Sequence, residues 1–148
     1  MNHSPEGAAR QLLNALLHAA GAVQGSLERS VEPCGLSLAK MGALKVLAEA
    51  DGPIPLGQLA GHLCCVKSNV TQLVDRLEAD GLARRVPDPA DRRSILAVIT
   101  PAGRTRLAEA GAARERAEQA LVAELEPQEI ERLAGLFERV SVRAGGAA

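Results

Sequence analysis

The sequence predicts a mainly α-helical chain with one small β-ribbon. Three observations carry that reading. Apolar residues recur at helical spacing in four separate stretches. Two short runs, Leu82 to Val86 and Ser94 to Thr100, flank a charged segment rich in proline and aspartate, the pattern of a hairpin with a polar tip. Proline and glycine punctuate the boundaries of these stretches at Pro33 and Gly35, at Asp51-Gly52-Pro53, at Gly81, and at Pro101 and Pro127.

The first helix is expected from about Gly7 to Ser30, with Leu12, Leu13, Leu16, Leu17, Val23 and Leu27 at helical spacing. Its apolar stripe is wide, which implies burial against more than one neighbour. A second helix runs from the N-cap Ser37 to about Ala50, with Leu38, Met41, Leu44, Val46 and Leu47 inward. Ile54 is placed as a single-residue strand, and a short third helix covers Leu56 to Leu63. Cys64-Cys65-Val66 forms the turn into a fourth helix, Lys67 to Asp80. There Val70, Leu73, Val74 and Leu77 fall at i, i+3, i+4 and i+7. Gly81 is its expected stop. After the ribbon, Thr100-Pro101 opens a long helix expected to reach Glu124, with proline at its first position. A last helix starts at Pro127 and ends near Arg143, with Leu133, Leu136, Phe137 and Val140 on one face.

At 148 residues the chain is one domain or two small fused ones. Hydrophobic residues make up 47% of it, enough for a core without disulfide or metal staples. No run approaches the ~18 apolar residues of a membrane span, and the polar stretch Met1 to Arg10 lacks the apolar segment of a signal peptide. The expected location is cytoplasmic. The formal net charge of −1 is uninformative, but its distribution is not. From Gly61 to Arg106 eight Lys/Arg stand against five acids, a local excess of +3 that leaves −4 for the rest. Phe137 is the single aromatic residue, so the chain has no ring platform for stacking unpaired bases. Duplex DNA is the better fit among nucleic acids.

The fourth helix supplies a surface for it. At ~100° per residue, the face opposite the apolar stripe carries Ser68 and Gln72. Asn69 and Arg76 flank it on one side, Thr71 and Asp75 on the other. Glutamine can pair with adenine, and small hydroxyls suit base edges or backbone. Beside it the ribbon tip, Pro87 to Arg93, carries Arg92 and Arg93. A polar-faced helix next to an arginine-tipped ribbon matches the major and minor grooves of a duplex. The plainer reading is a solvated helix face, with charges at the tip that discourage edge pairing.

Helix, turn, helix, ribbon is the plan of a winged helix-turn-helix, here 36–100, with helices from both termini (1–35 and 101–148) around it. The apolar stripes of those end helices exceed what so small a domain can cover. The economical solution is a two-fold homodimer in which they interlock, which makes 1–35 and 101–148 a helical dimerisation domain.

Five linked segments carry a resemblance. Gln58-Leu59-Ala60, Val70 to Glu78, Gly81-Leu82, Asp91-Arg92-Arg93-Ser94 and Ile99-Thr100-Pro101-Ala102-Gly103 together resemble the multiple antibiotic resistance regulator (MarR) family, and the likeness extends over nearly the whole chain. It implies a homodimeric transcriptional regulator, most often a repressor, bound to palindromic double-stranded DNA. Small effectors, often apolar or phenolic, release many such proteins, and cysteine oxidation releases some. It implies DNA contact by Lys67, Ser68, Asn69, Thr71, Gln72 and Arg76 on the recognition helix, and minor-groove entry by Arg92. It further implies that Arg93 braces the wing through Asp75 or Asp91. The chain departs from the family pattern in the turn, where Cys64, Cys65 and Val66 replace glycine, an aliphatic residue and a serine or threonine cap. Val66 has no capping oxygen, a loss of about 1 kcal/mol. Either the helix begins raggedly or Ser68 caps it one turn later.

Two rival readings accompany this one. Cys64, beside Lys67 and a helix start, is a candidate redox sensor, since both features lower a thiol pKa. Against that, a cysteine in the turn is ordinarily a small hydrophobe. The other rival is a winged helix used only for protein–protein assembly. No metal site is expected from the dispersed His3, His18 and His62, nor from three cysteines without knuckle spacing. No cofactor motif or catalytic constellation stands out, so an enzyme is not expected.

Overall fold

The computed structural model describes residues 5–63, 67–91 and 93–145. Among the described residues, six helices and three short strands follow in the order α1 (Pro5–Val31), α2 (Leu38–Glu49), β1 (Ile54–Pro55), α3 (Leu56–His62), α4 (Lys67–Ala79), β2 (Ala83–Pro87), β3 (Ile95–Ile99), α5 (Pro101–Leu121) and α6 (Pro127–Gly145). A 3₁₀ turn, Glu32–Cys34, joins α1 to α2. The strands form one antiparallel sheet in the order β1-β3-β2, with Ile54 opposite Ala97 and Arg85 also opposite Ala97 from the other side. The element at Ile54 is therefore two residues long rather than one.

The core sits in the middle of the chain. Leu44 and Leu47 of α2, Leu59 of α3, Val70, Val74 and Leu77 of α4, and Ala97 of β3 are almost wholly buried together. Burying a leucine or valine side chain contributes about 1.5–3 kcal/mol, so this cluster is what holds α2, α3, α4 and the sheet as one body. Ser37 caps α2 by accepting a hydrogen bond from the Lys40 N–H at 3.2 Å. The same helix end is held from outside, because the Leu38 N–H donates to the Glu28 carboxylate of α1 at 3.2 Å. An anion at that position satisfies a free N–H and complements the helix dipole.

The end of α4 is a Schellman turn. Leu82 N–H donates to Leu77 O at 2.8 Å and Gly81 N–H to Glu78 O at 2.9 Å, with Gly81 at φ +71°. Only glycine adopts that left-handed conformation without steric cost. Leu82 and Leu77 are both buried in the same core cluster. Thr100 then caps α5 by accepting from the Gly103 N–H at 3.0 Å, and its hydroxyl donates to Gly81 O at 2.7 Å. One side chain thus ties the start of α5 to the exit of α4.

α5 ends at Leu121, three residues short of the expected Glu124. Val122 leaves the helix at φ −114°, ψ 7°, and the chain turns through i→i+3 bonds to Leu125. Pro127 restarts it as α6, where the Glu129 carboxylate accepts from the Glu126 N–H at 2.9 Å, half of a capping box.

The terminal helices differ from the core in one respect. α1 packs along α5, yet Leu12, Leu13, Leu17 and Val23 are exposed, Leu17 at 72%. No residue of α6 is buried, although Leu133, Leu136, Phe137 and Val140 fall on one face. Those residues and Leu12, Leu13 and Leu16 line an apolar groove of about 380 Å³ between α1 and α6. No helix among the described residues is long and apolar enough to cross a membrane.

Candidate nucleic-acid interface

α4 presents two contrasting sides. Val70, Val74 and Leu77 are fully buried, while Asn69, Gln72, Asp75 and Arg76 are exposed. The phase that the apolar spacing predicts is the phase the helix adopts. Thr71 is half-buried, on the border between the two. Lys67 and Ser68 begin the helix, and their side chains lie outside the described residues. So do Cys64, Cys65 and Val66, on which the readings of the turn, the missing cap and the redox site fall. Cys34, in the 3₁₀ turn, is a free thiol of intermediate exposure, and its carbonyl accepts from Arg106 Nη1 at 2.7 Å.

The ribbon rises beside α4. Its tip is shaped by aspartates acting on the backbone. Asp88 Oδ1 accepts from the Ala90 N–H at 2.8 Å and Asp91 Oδ1 from the Arg93 N–H at 2.9 Å. These are Asx turns, which the Asp-x-Ala and Asp-x-Arg spacing signals in sequence. Arg93 is exposed at the tip; Arg92 lies outside the described residues.

The brace between ribbon and helix has a different cation from the expected one. Asp75 pairs with Arg85 of β2, Asp75 Oδ1 lying 2.6 Å from Arg85 Nη1. The same Nη1 lies 2.8 Å from Glu78 Oε2, and Nη2 donates to Thr71 O at 3.2 Å. The Arg85 N–H also donates to Glu78 Oε1 at 3.0 Å. The reason is geometric. Strand alternation aims Arg85 at α4 and its neighbour Arg84 at solvent, whereas Arg93 sits beyond the strands at the tip. The Arg85 backbone and side-chain hydrogen bonds lower the Glu78 pKa. A second tie, Lys40 Nζ to Asp80 Oδ2 at 2.7 Å, joins α2 to the residue just past the end of α4. Arg85, Lys40 and Asp80 escape a reading of motifs, because each looks like an ordinary surface charge, and Glu78 enters only as the end of the Val70 to Glu78 segment, with no role.

Two helices backing a third whose polar side is exposed, followed by a two-stranded ribbon beside that side, define a winged helix-turn-helix protein. Comparison with known proteins gives the family. The MarR family model matches residues 36–95. A probable transcriptional regulator from Pseudomonas aeruginosa is 32% identical over 88% of this chain and 96% of its own, with a TM-score of 0.74. BadR of Rhodopseudomonas palustris, a transcriptional activatory protein, is 37% identical over 99 residues, 65% of this chain and 56% of BadR, so the match spans little more than half of that relative. A mutant of Escherichia coli MarR in complex with operator DNA shares the fold at 24% identity and a TM-score of 0.74, over 86% of this chain and 92% of its own. The chain belongs to the MarR family of transcriptional regulators.

Proposed function

We propose that this chain is a homodimeric regulator that binds palindromic double-stranded DNA through α4 and the ribbon. The observation that carries the reading is the exposed polar side of α4, Asn69, Gln72 and Arg76, on a helix to which the ribbon is tied through Arg85, Asp75 and Glu78. α4 enters the major groove, with Lys67, Ser68 and Thr71 completing its contacts, and Arg92 with Arg93 enters the adjacent minor groove. Escherichia coli MarR, which shares the fold, was crystallised on operator DNA. Residues 36–100 are the DNA-binding domain. The terminal helices dimerise through the apolar face formed by α1 and α6, which the protomer leaves uncovered.

In this reading the protein represses transcription until a small apolar or phenolic effector shifts the spacing of the two DNA-binding lobes. Such a shift requires that the effector bind one arrangement better than the other. One observation favours activation instead: BadR is described as an activatory protein. A promoter–reporter assay with and without the regulator distinguishes the two.

Binding itself is tested with the full chain and duplex DNA. Affinity should fall steeply and linearly on a log–log plot against salt, and footprints should show half-sites on the order of 10 bp apart. A winged helix used only for protein assembly would show neither. Sequencing the genomic fragments retained by the purified protein then supplies the operator.

A further inference from the structure

We infer that Arg85 is a positioning residue for DNA recognition, fixing the ribbon against α4 and cancelling two carboxylates that border the recognition surface. The functional half of this inference rests on the DNA-binding reading; the mechanical half does not.

Thr71, Asp75 and Glu78 stand at i, i+4 and i+7, so they form one line along α4, next to the exposed line that carries Gln72 and Arg76. Arg85 spans that whole line. Its guanidinium contacts a carboxylate on Asp75, a carboxylate on Glu78 and the Thr71 carbonyl, and its own N–H is held by the other Glu78 oxygen. A lone exposed ion pair contributes little, because water competes and two long side chains lose freedom. Here the planar fork engages three groups, and Glu78 grips both the backbone and the side chain of one residue. The Glu78 grip sets the height and orientation of β2 on α4. Since β2 pairs with β3 through five successive residues, the tip follows.

The second consequence is electrostatic. Asp75 and Glu78 are 58% and 41% exposed. Uncompensated, they would face the phosphates of any duplex lying on α4, well within the ~8 Å screening length of physiological salt. Arg85 supplies the cation at 2.6 and 2.8 Å. Arg84, its sequence neighbour, points to solvent and does not share this task.

The test uses the full chain and random-sequence duplex DNA at fixed salt, with Arg85→Ala, Arg85→Lys and Asp75→Asn/Glu78→Gln alone and in the Arg85→Ala background. In the free protein, amides of β2 and β3 should exchange about 10-fold faster in Arg85→Ala while those of α5 stay unchanged, the sign of local rather than global loosening. DNA affinity should drop about 10- to 100-fold. Neutralising both carboxylates in that background should restore part of the affinity and none of the exchange protection. Arg85→Lys, which keeps the charge and loses the fork, should fall between Arg85→Ala and the parent on both measures. Lost affinity with unchanged exchange, and with no recovery when the two carboxylates are neutralised, would make Arg85 a direct DNA contact and overturn the inference. Unchanged values on both measures would overturn it as well. A parent protein that binds no duplex would defeat the DNA-binding reading, while the exchange result still decides whether Arg85 holds the ribbon.

Discussion

The carbonyl oxygen of Leu82 occupies the space that a Cβ on Gly103 would need. A methyl group built there collides with that oxygen and comes within 2.8 Å of the Ile99 side chain. The first turn of α5 therefore lies directly on the exit from α4, and only a residue without a side chain permits that approach. Neither neighbour can retreat easily. Leu82 O already accepts the Thr100 N–H at 3.0 Å, and Ile99 is buried in the sheet. Gly103→Ala should destabilise the chain by about 1–3 kcal/mol or more through overpacking, despite the higher helix propensity of alanine. Urea unfolding followed by circular dichroism measures this. A gain in stability would show that the α4–α5 junction is loose.

Thr100 makes the polar half of the same junction. Its hydroxyl accepts from Gly103 N–H and donates to Gly81 O. Thr100→Val keeps the shape and removes both bonds, so the cap and the tie to the Schellman turn are lost together. The expected cost is about 1–2 kcal/mol, the range of a lost N-cap. Combining Thr100→Val with Gly103→Ala should give less than the sum of the two, since both act on one contact. Additive losses would separate them.

These two residues also show why part of the fold is legible in the sequence. Thr100-Pro101 and Gly81 act through local backbone chemistry, which residue identity alone reveals, and the apolar spacing of α4 fixes which side faces the core. The brace is different. Arg84, Arg85, Arg92 and Arg93 are chemically alike, and choosing among them requires knowing the strand register that aims Arg85 at α4. Strand pairing is a non-local fact. The end of α5 at Leu121 is equally hard to see, because Val122 to Glu124 continue a helix-compatible composition past the point where the chain turns. The wide apolar stripe of α1 is plain in sequence, but its partner is not, since most of it stays exposed in the protomer.

Glu78 gives a pH dependence of definite sign. The Arg85 backbone N–H first, and then the Arg85 side chain, lower its pKa from the ordinary 4.5. A carboxylate with a depressed folded-state pKa contributes stability above its unfolded pKa and loses it as pH falls through the folded value. Wild-type protein should therefore exceed Glu78→Gln in urea midpoint at neutral pH. The difference should shrink as the pH drops below about 4.5. The effect is small at this surface site and should weaken in high salt. A difference that is constant from neutral pH to pH ~3 would assign the Glu78 contribution to packing rather than charge.

Recognition of DNA should divide between helix and wing. Gln72→Ala removes an exposed amide from α4 and should change base preference at one position per half-site, costing about 1–3 kcal/mol there. Arg92→Ala should weaken binding and lower the preference for A·T pairs at the outer minor-groove positions. Selection from a randomised duplex pool reads both. Equal weakening for every sequence, with preferences intact, would move Gln72 from base reading to backbone contact.

Leu12, Leu13, Leu16, Leu133, Leu136, Phe137 and Val140 line a groove that the protomer does not fill, and α6 buries none of its residues. Fully burying one such leucine or phenylalanine yields about 1.5–3 kcal/mol, and a second copy supplies the same apolar face in return. Leu13→Glu/Phe137→Glu places charges on that face without touching the core around Leu44, Leu47 and Leu59. The variant should sediment as a monomer at concentrations where the parent is a dimer. Its helix-turn-helix unit should remain folded, because none of the substituted positions belongs to that cluster. Affinity for a two-half-site duplex should fall by about 100-fold or more, since the second half-site is no longer bound at high effective concentration. Affinity for a single half-site should change little. Deleting Met1 to Ser30 should likewise abolish the dimer, leaving a monomeric or aggregated product. A soluble dimer from that truncation, or a charged double variant that still dimerises, would place the interface elsewhere on the chain.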